Sequence, residues 1–97
     1  MIDQRLVFGI SWFQPDQWER LIDISEDRDQ LDDTYEDWRR NTSNTIKELE
    51  SQGQKIKKVK INLEQLIYWC NENNLPINGK SRSQYVTYLL QQRSYKP

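Results

Sequence analysis

The chain has 97 residues, with 14 basic and 15 acidic side chains, no His, one Cys and three Gly. One Cys excludes an internal disulfide framework, and without His it leaves no zinc-ligand spacing. The length fits one domain over residues 1–97, no apolar run approaches the roughly 18 residues of a membrane span, and the N-terminus lacks the pattern of a secretory signal.

Leu, Ile, Val and Phe supply 23 residues, above the ~20% level of disordered chains, so a folded, soluble, cytoplasmic protein is expected. Ala is absent and Asn plus Gln number 17, so the helices must lean on tertiary packing. Charge is divided unevenly. Residues 1–52 carry six basic and thirteen acidic groups, and residues 53–97 carry eight and two. Such asymmetry marks either a binding face or two halves that neutralise each other.

Arg5 to Phe13, RLVFGISWF, reads as a strand with Leu6, Phe8, Ile10 and Trp12 on one face. Gly9 within it signals a bulge or a close approach by another backbone. Pro15 then suits the first position of a helix capped by Gln14. Phe13 and Trp18 have the spacing of a hydrophobic staple. Trp18, Leu21, Ile22 and Ser25 form its stripe, and the polar stretch Ser25 to Gln30 ends it.

From Leu31 to Gln52 the residues Leu31, Tyr35, Trp38, Thr42, Thr45 and Leu49, with Ile46 beside them, trace one face of a long helix. Asp33 and Glu36 have capping-box spacing, and Gly53 is placed to stop the helix. Lys55 to Leu63, KIKKVKINL, predicts a second strand, with Lys57, Val59, Ile61 and Leu63 on one side and Ile56, Lys58, Lys60 and Asn62 on the other. Asn62 caps the next helix, whose apolar face is Leu66, Ile67, Trp69 and Cys70. The run NENN with Pro76 ends it, Asn78-Gly79 predicts a turn, and Ser81 with Gln84 predicts the capping box of a last helix.

The expected fold is thus a mostly helical α+β domain of β-α-α-β-α-α order with two short strands. Its halves read either as a duplicated βαα unit or as two amphipathic units alike by chance. The strands could pair in parallel, or leave open edges that a second copy would cover in a homodimer.

No catalytic, cofactor-binding or metal-ligating set stands out. Cys70 lies on an apolar stripe with no His to activate it, as a buried core thiol would. The acidic run lacks the spacing and central Gly of a calcium loop. Its residues Asp29, Asp32, Asp33, Glu36 and Asp37 fit a helix start or a face for a basic partner.

KKVKINL, LEQLIYWCNENN, NGK and SRSQYVTYLL, between Lys55 and Arg93, resemble in order the strand, first helix, turn and second helix of the ribbon-helix-helix family of DNA-binding proteins. Asn71, Asn74 and Pro76 depart from that pattern. The resemblance implies that Lys58, Lys60 and Asn62 read base edges and that the helix-start amides near Ser81 to Ser83 hold a phosphate; Lys80 and Arg82 complete this candidate nucleic-acid or partner face. The expected function is a non-enzymatic interaction or regulatory module for a protein partner or a second copy of itself, with no cofactor and no membrane. The alternative is a ribbon-helix-helix-like DNA-binding regulator using strand 55–63.

Overall fold

The computed structural model describes residues 7–94. Strand β1 (Phe8–Trp12) leads through a 3-10 turn at Pro15–Gln17 into helix α1 (Trp18–Ile24). A second 3-10 turn, Arg28–Gln30, precedes the long helix α2 (Tyr35–Ser51). Strand β2 (Ile56–Lys60), helix α3 (Leu63–Glu72) and helix α4 (Gly79–Ser94) complete the mostly helical α+β fold in the expected order. Arg5 and Leu6 of the expected first strand lie outside the described residues.

The two strands pair in parallel within the one chain, from Phe8 opposite Ile56 to Trp12 opposite Lys60. The Phe8 amide donates to the Lys55 carbonyl at 2.9 Å, and the Ile61 amide donates to the Trp12 carbonyl at 3.3 Å. These two bonds fix the alternation of the ladder. Phe8, Ile10 and Trp12 turn their backbone groups toward β2, and those of Gly9 and Ser11 point away. On β2, Lys57 and Val59 face β1, and the backbone groups of Ile56, Lys58 and Lys60 point outward.

Side chains alternate across the pleat, which decides what each face meets. On the Gly9 side lies α4, so close that a Cβ on Gly9 would sit 2.4 Å from Val86 Cγ1. What comes close at Gly9 is thus a set of side chains, Val86 and Leu90 of α4 with Val59, and not another backbone as the sequence suggested. Val59 shares that side and is fully buried in a cluster with Phe13, Trp18, Leu21, Ile61, Leu63, Leu66, Cys70, Tyr85 and Val86. On the opposite side, Trp12 meets Trp38 of α2 at a centroid distance of 4.9 Å. Trp38 is half-buried among the rings of Phe13, Trp18 and Tyr35 as well. The halves repeat their element order, yet α4 packs on the Gly9 face whereas α2 meets the other face at Trp12 and leaves Phe8, Lys58 and Lys60 exposed.

The helix ends correct several sequence expectations. Thr34, not Asp33, caps α2, because its hydroxyl accepts from the Asp37 amide at 3.1 Å. Asn78 starts α4 three residues ahead of the expected cap. Its Oδ1 accepts from the Ser81 amide and its own amide donates to Ser81 Oγ, each at 3.0 Å. This reciprocal pair draws Gly79 out of the expected turn into the first helical position. Two helices stop as expected. Gly53 takes φ +90° after α2, and Asn74 takes φ +57° after α3. In both, amides at the next two positions return to the last turn: Gly53 to Glu50 and Gln54 to Leu49, then Asn74 to Asn71 and Leu75 to Cys70.

Candidate interaction surface

The lysines of β2, with Lys55 just before the strand, form an exposed basic strip in the second half. Lys55, Lys57, Lys58 and Lys60 are all exposed, and among the described residues none forms an ion pair. Lys58 and Lys60 share the Trp12 side of the sheet, and the Lys58 ammonium sits 4.2 Å from the centre of the Trp12 ring. A cation over an indole face gains electrostatic stabilisation while it keeps its contact with water.

Two other members of the predicted basic face, Asn62 and Arg82, are committed elsewhere. Asn62 spends its Oδ1 on the Gln65 amide at 3.0 Å, as the cap of α3. Lys80 is exposed in the first turn of α4. Arg82 turns inward. Its guanidinium grips Asp27 with Nη1 to Oδ1 at 3.1 Å and Nη2 to Oδ2 at 2.7 Å, and Nη1 also reaches Ser25 Oγ at 3.1 Å. These side chains are 11% and 14% exposed for Arg82 and Asp27, so the pair is largely removed from water.

Residues 25–27 therefore latch onto the start of α4. The Glu26 amide donates to the Ile77 carbonyl, the Asn78 side chain to Glu26, and the Gly79 amide to Asp27 Oδ2. The helix-start amides of Gly79 and Ser81 are satisfied inside the chain. Burial would raise the Asp27 carboxyl, but the hydrogen bonds and charge of Arg82 outweigh it and hold the group below its usual value. This latch was not singled out from the sequence. Its one visible signal was the charge imbalance between the halves, which could not choose Asp27 over its acidic neighbours.

The predicted acidic residues do not gather opposite the lysines. Asp29 is exposed in the second 3-10 turn, and Asp33 and Glu36 are exposed at the start of α2. Asp32 accepts from the Asn41 side chain at 3.3 Å, and Asp37 pairs with Arg40 on its own helix. Among the described residues the ion pairs between the halves are Asp27 with Arg82 and Arg20 with Glu64, each at 2.7 Å. An acid of the 26–37 stretch does meet the basic half, as two neutralising halves require, but it is Asp27 and not Asp32, Asp33, Glu36 or Asp37. Those acids serve the helix start, where the helix dipole favours them.

Cys70 is fully buried. Nearby, burial first, then the proximity of Tyr88 and Cys70, pushes the Tyr85 phenol above its ordinary value. Among the described residues no group of three or more metal-ligating side chains is placed to hold an ion, and no helix is long and apolar enough to cross a membrane. What the surface offers is an unpaired strand edge lined with lysine. No protein-family model, curated protein or solved structure matches the chain.

Proposed function

We propose that the chain is a small, cytoplasmic, non-enzymatic interaction module that binds another protein through its sheet. One observation carries this reading. Among the described residues the sheet stops at two strands paired within one chain, and the outer edge of β2 offers unpaired backbone groups flanked by lysines. An exposed edge is a ready template for another chain. The absence of His and the burial of the one thiol support a binding role over a catalytic one. The same lysines disfavour two β2 edges meeting in a homodimer, since like charges directly opposite repel.

Cross-linking in the chain's own cells tests the reading. A defined protein cross-linked to the chain is the expected product. Recovery of the chain alone, or with nucleic acid only, overturns it.

A DNA-binding role is the second reading, favoured by Lys55 and the three lysines of β2, none of which forms an ion pair among the described residues. It predicts retardation of duplex DNA at low salt. It also predicts a salt slope that falls by about two when Lys58 and Lys60 both become Gln, one unit per phosphate contact. A mobility-shift titration with micromolar protein that retards no duplex removes it.

A further inference from the structure

The two edges of the sheet are not equivalent. Along β1, α4 packs directly over Gly9, and its residues Arg82, Ser83 and Val86 narrow the space beside the strand. The Phe13 carbonyl that would continue this edge is taken by the Tyr35 hydroxyl at 3.0 Å. Along β2 the outward backbone groups of Ile56, Lys58 and Lys60 have no hydrogen-bond partner among the described residues. Lys57, Lys58 and Lys60 are exposed beside them on both faces, and Lys58 is held in place on Trp12.

We infer that the β2 edge accepts an extended acidic peptide segment as a third strand. The inference rests on the protein-binding reading above and names its partner chemistry. Outward amides and carbonyls at alternate positions match the backbone of an added strand and supply affinity regardless of its sequence. The lysines supply selection, because opposed side chains in paired strands stand about 5 Å apart and reward opposite charge. A basic segment meets repulsion at Lys57, Lys58 and Lys60 instead. A second copy of this edge is excluded on the same ground.

The test uses the whole chain and a synthetic peptide, Ac-Glu-Val-Glu-Val-Glu-Val-Glu-amide, followed by amide hydrogen exchange and NMR titration. Binding is expected to slow exchange at the Ile56, Lys58 and Lys60 amides by at least about ten-fold, because these are the ones newly bonded. The Lys57 and Val59 amides, already bonded to β1, should change little. Affinity should fall with salt, and by up to about ten-fold in the Lys58→Gln/Lys60→Gln variant. Lys58→Pro removes one outward amide without touching the ladder to β1 and should abolish binding.

Because that variant could fail to fold, two peptides N-methylated at alternate residues, one in each frame, form the second arm. At least one should lose binding. Equal binding by both, perturbation confined to another surface, or no binding at millimolar peptide overturns the strand-addition inference. Tighter binding of duplex DNA at the same lysines overturns it in favour of nucleic acid. If the peptide fails while cross-linking still traps a protein, the module reading stands and only the edge assignment falls.

Discussion

Asp27 makes the closest charged contact between the acidic stretch and the basic half. It satisfies the Arg82 guanidinium and the first amide of α4 together. Removing one partner of such a pair leaves the other charge in a dry setting, which costs more than an exposed pair contributes. Asp27→Asn is expected to lower stability at neutral pH by about 1–3 kcal/mol, measured by urea unfolding. Since the native carboxyl lies below its usual value, its contribution is present above the unfolded value of about 3.9 and is lost as pH falls through the lower native value. The gap between variant and parent should therefore be level above about pH 5 and shrink in acid; a gap unchanged to about pH 2 would contradict the assignment. Gly9 poses a steric question at the same scale. A Cβ there would lie 2.4 Å from Val86 Cγ1 and 2.8 Å from Leu90 Cδ1. Gly9→Ala should cost about 1–3 kcal/mol by overpacking, and Val86→Ala should partly restore the loss in a double-mutant cycle.

Among the elements, α2 depends most on tertiary support. Its middle, Asn41 to Thr45, is built of weak helix formers, and Ile46 is its buried side chain. What fixes it is the cap at Thr34 and the insertion of Trp38 among Trp12, Phe13, Trp18 and Tyr35. Trp38→Ala opens that aromatic group and should cost about 3 kcal/mol in thermal or denaturant unfolding. A variant that melts within a degree or two of the parent would place the Trp38 face in solvent. The helix ends show why boundaries are harder to read than elements. Asp33, Thr34, Asn78 and Ser81 are all competent caps by residue type, and the choice among them belongs to the entry angle of the chain. The stops at Gly53 and Asn74 were plainer, because few residues tolerate positive φ.

For the whole molecule, the parallel ladder and the Asp27–Arg82 latch tie the two halves together at two separate places. Neither half holds the cluster around Val59 alone, since Phe13, Trp18 and Leu21 come from the first and the rest from the second. Unfolding should accordingly be one cooperative transition, with tryptophan fluorescence and far-UV circular dichroism giving the same midpoint. Two separated midpoints would mean that the βαα halves are independent units.

Some properties were legible without any coordinates because they depend on neighbours along the chain. Alternation in RLVFGISWF and KIKKVKINL marked the strands, periodicity marked the helices, and the stripe through Cys70 marked a buried thiol. Gly53 announced a stop for the same local reason. Only the tertiary structure decided how the strands pair, since parallel pairing across a helical crossover is a long-range choice that neither strand encodes. It also decided which acid meets Arg82. Charge sums fix the sign of each half, whereas an ion pair depends on which side chain the fold holds within a few ångströms of its mate and removes from water. The lysines of β2 were visible as a run. That their backbone faces outward, unpaired, follows from a register that appears only when β1 lies beside them.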